Sequence, residues 1–233
     1  MKFHVGTSGY SYKEWKGSFY PEKLPAKDFL KFYGQHFSTV EINNTFYRLP
    51  KENVVESWAS QVPDSFRFVC KARQSITHFK RLKDCQEDTD YLLAVTSVLG
   101  PKQGPLLFQL PPNFKKDVSR LSAFLSYIGK RAPLTFEFRH SSWYDDEVYA
   151  CLREHGCPLC TADMDEEPVS EIVPTADWGY LRLRRVEYDD KALQNWLAKI
   201  KAQQWKEAFV FFKHEDEGTG PKLAARLIEL GAK

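Results

Sequence analysis

Three carboxylates and five cationic side chains stand near the ends of short β-rich runs, where they could form one polar site. The acids are Glu41, Glu137 and Asp163, and the bases are Lys71, Arg139, Arg182, Arg184 and Lys213. Carboxylates on different strands could act as general acid and base across a pocket, and a desolvated lysine could serve as a nucleophilic amine. We therefore expect Glu41, Glu137, Lys71 and Asp163 to be the catalytic residues.

The charges of this set do not balance. Three acids cannot pair one-to-one with five bases, and an unpaired buried charge costs several kcal/mol. Arginine forks suit phosphate or carboxylate groups, so the positive surplus predicts a small anionic substrate. Interior ion pairs that only hold strands together are the structural alternative. The expected substrate-binding residues are Asn43, Tyr47, His78, Gln109, Arg139, Trp143, Arg182, Arg184 and Lys213.

Hydrophobic periodicity places these residues on strands that alternate with helices. The predicted strands are 3–8, 39–44, 67–71, 105–110, 134–139, 158–163, 179–184 and 208–214, and the predicted helices are 27–36, 51–60, 88–99, 117–130, 145–155, 191–203 and 219–230. The segment from Met164 to Trp178 carries Pro168 and Pro174 and has no good helical pattern, so the sixth helix is expected to be weak or missing. Strands separated by helices predict parallel pairing through right-handed crossovers.

Two different faces on each strand favour a barrel over a doubly wound open sheet. Along the second strand Val40 and Ile42 share one face, whereas Glu41 and Asn43 share the other. Strands of an open parallel sheet are covered on both sides and are apolar throughout. A barrel has one helix-covered face and an interior whose top layer opens at the site. We expect a single (β/α)8 TIM-barrel domain over residues 1–233, with the ionisable residues in that top layer.

Loops that follow the first, second and fifth strands are rich in aromatic residues. They include Tyr10 to Trp15, Thr45 to Pro50 with Tyr47, and His140 to Tyr144 with Trp143. Rings on loops can stack on a ligand and exclude water, or they can pack over the barrel mouth.

Composition excludes several classes of protein. A net charge of +2 and a pI near 8.2 do not match a dedicated nucleic-acid binder. Charges or prolines interrupt every apolar run, so no membrane association is expected, and Met1 to Gly6 has the pattern of a strand rather than of a signal peptide. The five cysteines are an odd number in a long chain, which favours a reducing, cytoplasmic location.

Several motifs resemble the YecE-like family, which is known as a domain of unknown function. They are Gly6 to Tyr12, Trp15 to Pro21, Thr39 to Pro50, Lys71-Ala72, Thr77-His78, Phe108 to Pro112, Glu137 to His140 and Ser142-Trp143. The resemblance covers essentially the whole chain and implies a TIM barrel, but it implies no activity. Many members carry an Arg-x-His-Gly motif on the seventh strand and an asparagine pair after the eighth. This chain instead has Arg182 to Arg185 and Phe212 to Glu215.

The leading functional prediction is an enzyme, a hydrolase, lyase or isomerase, that uses acid–base chemistry on an anionic small molecule. No cofactor is predicted. A divalent metal bound by His78, His140 and His214 with the carboxylates is a weaker alternative, because these histidines lack a metal-binding spacing. The other alternative is nucleic-acid binding or phosphodiester hydrolysis, which rests on the basic loop of Lys71, Arg73, His78, Lys80, Arg81 and Lys83, with aromatic rings to stack bases. The endonuclease IV type of this hydrolysis is what the resemblance implies, since the family's fold has been likened to that barrel.

Overall fold

Eight parallel strands form the centre of the computed structural model, which describes residues 1–165, 171–214 and 216–232. The strands are β1 Lys2–Ser8, β2 Thr39–Ile42, β3 Arg67–Lys71, β4 Gln103–Gln109, β5 Leu134–Glu137, β6 Thr161–Asp163, β7 Trp178–Leu183 and β8 Glu207–Phe212. The α-helices are α1 Phe29–His36, α2 Glu52–Ser60, α3 Gln86–Ser97, α4 Val118–Ile128, α5 Asp146–Glu154, α6 Asp190–Lys201 and α7 Thr219–Gly231.

Neighbouring strands run in the order β5-β4-β3-β2-β1-β8-β7-β6, so only the edge between β5 and β6 lies outside the continuous ladder. A parallel bridge between Phe136 and Leu159 spans that edge. The Phe136 amide donates to the Pro158 carbonyl at 3.2 Å, and the Cys160 amide donates to the Phe136 carbonyl at 2.7 Å. These bonds bring the sheet into a nearly closed barrel, and the predicted fold class is confirmed.

No α-helix lies between β6 and β7 in the part of that connection that the structure describes, residues 164–165 and 171–177. This agrees with the expected weak or missing sixth helix. Pro168, one of the two prolines behind that expectation, lies outside the described residues. Among the described residues, no helix has the length and apolar character needed to cross a lipid bilayer.

The barrel has two apolar layers, as the alternation along the strands predicts. The outer layer packs between the strands and the helices and includes Val40, Phe108 and Leu183. The inner layer fills the lower barrel and consists of Val69, Leu107, Cys160, Tyr180, Phe209 and Phe211. Because inward residues alternate with outward ones, the next inward positions along each strand lie at the barrel mouth. Those positions hold most of the predicted polar set.

Rings from two of the aromatic loop segments are buried in packing clusters. The Trp15 ring is fully buried, and Tyr20 stacks on Phe29 with ring centroids 4.1 Å apart. Trp143 is also fully buried, stacks on Phe138 at 4.6 Å, and donates from Nε1 to the Phe114 carbonyl at 2.6 Å. These rings fix their loops to the barrel, so Trp15, Tyr20 and Trp143 follow the packing alternative.

Candidate functional site

A cavity of about 660 Å³ opens at the C-terminal ends of the strands. This volume lies within the range of about 300–1,000 Å³ that is typical of small-molecule sites. Nine of the predicted site residues line it: Asn43, Tyr47, Lys71, His78, Gln109, Arg139, Arg182, Arg184 and Lys213. Six further residues complete the lining: Tyr12, Asn44, Phe46, Leu110, Pro111 and Pro112. The register of the barrel therefore brings together most of the side chains that the sequence suggested.

Arg182 joins two carboxylates at the floor of this cavity. Its Nη2 donates to Glu41 Oε1 at 2.8 Å, and its Nη1 donates to Glu137 Oε2 at 2.5 Å. All three side chains are almost completely buried. A guanidinium group can serve both acids at once because its donors lie in a rigid planar fork. The three residues, called the floor triad below, link β2, β7 and β5 across the barrel.

Glu41 accepts two further hydrogen bonds from other strands, β7 and β1. Tyr180 donates its hydroxyl to Oε2 at 2.5 Å, and Ser8 donates its hydroxyl to Oε1 at 2.7 Å. Burial alone raises the pKa of Glu41, but Arg182 and these two donors outweigh burial and hold that pKa below its ordinary value. Glu41 is therefore an ionised, hydrogen-bonded carboxylate at neutral pH, which argues against a role as a general acid.

Glu137 is also held ionised, in this case by three arginines. Gln109 donates from Nε2 to its Oε1 at 3.0 Å, Arg139 forms an ion pair with the same oxygen, and Arg184 Nη1 lies 4.0 Å away. Burial raises the pKa of Glu137, but the charges of Arg182, Arg139 and Arg184 lower it to about 2. A carboxylate with so low a pKa is a weak base, so its geometry suits the holding of cations better than proton transfer.

Lys71 differs from the carboxylates because its pKa moves toward neutrality. Its Nζ donates to Gln109 Oε1 at 2.6 Å and lies 4.3 Å from the centre of the Phe46 ring. Burial and the charge of Arg182 lower the pKa of Lys71 to about 8, although Glu137 and Glu41 act in the opposite direction. A substantial fraction of neutral amine is thus present near pH 8, as acid–base or nucleophilic chemistry requires.

Arg139 and Arg184 form a cationic wall beside Lys71. The Arg139 Nη1 contacts the Met164 sulfur at 2.8 Å, a weak acceptor. Burial, followed by the charge of Arg182, lowers the pKa of Arg184 below its ordinary value. Lys213 aside, four cationic residues line the described part of the cavity: Lys71, Arg139, Arg182 and Arg184. They outnumber the two acids of the floor triad. The wall therefore retains capacity for an anion.

The rim of the cavity is formed by the loop after β2 and by a π-helix over Ser75–Phe79. His78 lies on this helix, and its Nδ1 is 2.9 Å from the Thr77 hydroxyl. Burial and the charges of Lys71 and Arg81 lower the pKa of His78, so its ring is neutral at pH 7. Tyr47 is 68% exposed at the same rim. Its ring is available to a ligand without displacement of packed side chains.

Two of the predicted site residues lie elsewhere. The structure corrects the placement of Asp163: it is in register with the outward-facing Leu183, whereas its neighbour Ala162 is in register with Arg182. Adjacent strand residues point to opposite faces, so Asp163 points away from the barrel interior. Its carboxylate accepts from Arg185 Nε at 2.7 Å and from the Tyr188 hydroxyl at 2.9 Å. The buried packing of Trp143, described above, likewise does not support the predicted substrate contact.

We expect Asp163→Asn to lower the free energy of unfolding by about 1–3 kcal/mol, because hydrogen bonds to a buried charge are lost. Any affinity of the cavity for an anion such as inorganic phosphate should not change, since Asp163 lies on the other side of the strand. Denaturant unfolding and calorimetry with inorganic phosphate measure the two effects. The exposed Asp165, which accepts from the Val186 amide at 2.9 Å, provides the control Asp165→Asn, with an expected cost below about 1 kcal/mol. A loss of phosphate affinity in Asp163→Asn alone would contradict this placement.

The three histidines of the weaker metal hypothesis have different partners. His140 Nδ1 lies 2.9 Å from the Ser142 hydroxyl, His214 Nε2 lies 2.6 Å from the Arg185 carbonyl oxygen, and His78 is at the cavity rim. Across the described residues, no group of three or more His, Cys, Asp or Glu side chains is arranged to hold a metal ion. Within that part of the chain, the three histidines and the carboxylates are therefore not grouped as a divalent site would require.

Tyr180, Ser8 and Phe46 contribute to the site but were not predicted as site residues. Tyr180 shares the inward face of β7 with Arg182, so the alternation that identified the arginine also applied to the tyrosine. Ser8 is the last residue of β1 and lies opposite Glu41 in the ladder. No sequence signal places Phe46 against Lys71, because that contact depends on the path of the loop after β2.

Comparisons with known proteins agree over the length of the chain. Residues 4–233 match the family model described as "Protein of unknown function DUF72". UPF0759 protein YunF of Bacillus subtilis is 24% identical over 92% of this chain and 79% of its own length. UPF0759 protein YecE of Escherichia coli is 34% identical over 49% of this chain and 43% of its own length.

Two solved structures are similar to this fold. A DUF72 family protein of Thermotoga maritima has a TM-score of 0.86 and 28% identity, with complete coverage of both chains. A DUF72 family protein of Enterococcus faecalis has a TM-score of 0.81 and 19% identity, over 99% of this chain and 96% of that chain. Because the family model spans nearly every residue and the barrel is shared, this chain belongs to the DUF72 family of proteins of unknown function, to which the YecE-like resemblance pointed.

Proposed function

We propose that the barrel mouth binds a small molecule bearing a phosphate or carboxylate group and acts on it by proton transfer. The observation that carries the proposal is the excess of cations over acids around a cavity of about 660 Å³. Arg139 and Arg184 are the anion-binding groups. Both approach the single carboxylate of Glu137, which neutralises only part of their combined positive charge. An incoming anion would relieve the mutual repulsion of the arginines, and the low-dielectric walls would strengthen its attraction to them.

Proton transfer in this proposal falls to Lys71 rather than to the carboxylates. The amine has a pKa of about 8, whereas Glu41 and Glu137 are held ionised by Arg182. An effective general acid or base has a pKa near the working pH. Glu41 and Glu137 then act as positioning residues: both hold Arg182, and Glu137 also orients the Lys71 amine through Gln109. Gln109 and Asn43 supply polar contacts at the cavity wall.

Binding of inorganic phosphate tests the anion site directly. We expect phosphate to raise the melting temperature of the protein and to give a saturable calorimetric signal. Arg184→Gln should weaken the affinity by about tenfold or more, since a charge-assisted hydrogen bond contributes about 1.5–3 kcal/mol. The matched control is Arg153→Gln on α5, where the exposed guanidinium lies 3.4 Å from the Pro174 carbonyl. Equal weakening by both substitutions, or no saturable binding to the wild type, would refute the proposal.

Nucleic-acid binding is the second candidate, and one observation favours it. Two aromatic rings at the rim are strongly exposed, Tyr47 at 68% and Phe79 at 73%, and exposed rings can stack bases. Against this, Arg73 and Lys80 of the basic loop both pair with Asp88, at 3.5 and 2.8 Å. Salt-dependent binding of a short single strand, reduced by Phe79→Ala, would support this candidate. No binding at low salt would eliminate it.

A further inference from the structure

Lys71 is an unusual lysine because it is partly buried and, in the part of the chain that the structure describes, has no carboxylate as a direct partner. Among the described residues it forms no ion pair; its hydrogen bond goes to the neutral oxygen of Gln109 at 2.6 Å. A lysine that serves only to neutralise a buried acid would contact that acid. Here an amide separates the amine from Glu137, because Gln109 Nε2 donates to the carboxylate at 3.0 Å. Within the described residues, the amine therefore lies in the cavity wall without forming an ion pair.

The surroundings of this amine suit a covalent role. Its nitrogen lies at the C-terminal end of β3, in the wall of the cavity, and against the face of the Phe46 ring. Aromatic faces stabilise a cation while excluding water from one side. The β3–β4–β5 order brings Lys71, Gln109 and Glu137 to consecutive strands, and Arg139 and Arg184 approach the same Glu137 carboxylate. A ligand held by the arginines would thus present its other end toward Lys71.

We propose that Lys71 forms an imine with a small carbonyl compound whose phosphate or carboxylate group is held by Arg139 and Arg184. This inference rests on the proposed anion site and names its substrate class: an aldehyde or ketone with an anionic group a few atoms from the carbonyl. Lys71 is then a catalytic residue because it bonds to the substrate, and Gln109 is a positioning residue that orients the amine.

The chemistry balances without an oxidant or a reductant. The neutral amine of Lys71 attacks the carbonyl carbon, a C–N bond forms and the C=O π bond breaks, which gives a carbinolamine. The carbonyl oxygen then leaves as water, with two hydrogens that were on the amine, and a C=N bond remains. When the imine nitrogen is protonated, its N–H can donate to Gln109 Oε1 as the ammonium does now. The pKa of about 8 supplies the neutral amine that the first step needs.

Reductive trapping tests this inference. The wild-type protein is incubated with dihydroxyacetone phosphate or with pyruvate at pH 8 in the presence of cyanoborohydride, and adducts are mapped by mass spectrometry of peptides. We expect a single dominant adduct on Lys71, none at this site in Lys71→Arg, and a yield that rises between pH 6 and pH 9. The two probes separate phosphate from carboxylate recognition.

Two controls separate directed attachment from general lysine reactivity. Dihydroxyacetone, which lacks the phosphate, should label Lys71 at least about tenfold less, and Arg184→Gln should lower labelling by dihydroxyacetone phosphate by a similar factor. Adducts spread evenly over exposed lysines such as Lys27, or no Lys71 adduct with either probe, would overturn the imine. If phosphate still binds and Arg184→Gln still weakens it, the imine alone fails. If phosphate does not bind, the proposed function fails.

Discussion

Replacing Arg182 with methionine is expected to lower the free energy of unfolding by about 3–5 kcal/mol, which is a large part of the stability of an ordinary domain. The substitution leaves Glu41 and Glu137 buried without their shared partner. Methionine fills much of the volume of the aliphatic arginine stem. The decrease in the free energy of unfolding therefore reflects the removed charge rather than a new cavity. Urea unfolding at pH 7, followed by circular dichroism, gives the free energy directly.

Arg226 provides a matched control for this substitution because it also contacts two carboxylates. It pairs with Asp190 at 2.5 Å and with Glu229 at 2.9 Å, but its side chain is 39% exposed. Exposed ion pairs contribute about 0–1 kcal/mol, so Arg226→Met should cost no more than that. If the two methionine variants lose the same stability, the floor triad is not the energetic feature described above.

Acid should destabilise the protein mainly through the floor triad. The pKa values of Glu41 and Glu137 are lower in the folded protein than the ordinary value of about 4.3, and for Glu137 the folded value is about 2. Such groups contribute their full stabilisation above the unfolded pKa. The contribution is lost as the pH falls, because the unfolded chain binds protons at pH values where the native carboxylates are still ionised. As the pH falls from about 4.3 toward 2, each such group removes up to about 1.4 kcal/mol per pH unit.

Urea unfolding at a series of pH values between 5 and 2.5 measures this slope. We expect a steep fall for the wild type and a shallower one for Glu137→Gln, which keeps the shape of the side chain but removes its titration. Asp90→Asn is the control, since Asp90 has a lowered pKa but lies at the surface, where it contacts Tyr127 and Arg131. A slope that is unchanged in Glu137→Gln and shallower in Asp90→Asn would assign the acid sensitivity to the surface instead.

Most of the cavity could be predicted from the sequence because strand alternation is a local property. Nine predicted residues line the cavity, and the inward positions Glu41, Gln109 and Glu137 follow from a period of two along β2, β4 and β5. Asp163 shows that this reasoning also requires a correct assignment of which strand face points into the barrel. It shares a face with Thr161, so its grouping with the inward set contradicted the alternation of its own strand.

The roles within the cavity could not be read from residue types. By residue type, Glu41, Glu137 and Lys71 were equally suited to proton transfer. In the folded protein the charge of Arg182 outweighs burial and keeps the two acids ionised, whereas burial and the same charge move the lysine pKa toward neutrality. Likewise, Trp143 lay on an aromatic loop that suggested a ligand surface, yet it packs on Phe138. A pKa and an exposure both depend on neighbours that are distant in the sequence.

The sequence by itself determined the barrel, its two-faced strands and the collection of charges at one end, because periodicity along a short segment sets which side chains share a face. Only the tertiary structure decided that Arg182 bridges Glu41 and Glu137, that Asp163 binds Arg185 on the outside, and that Lys71 contacts Gln109 rather than an acid. Those pairings join strands up to 141 positions apart. They depend on the shear and closure of the barrel, which no local pattern encodes.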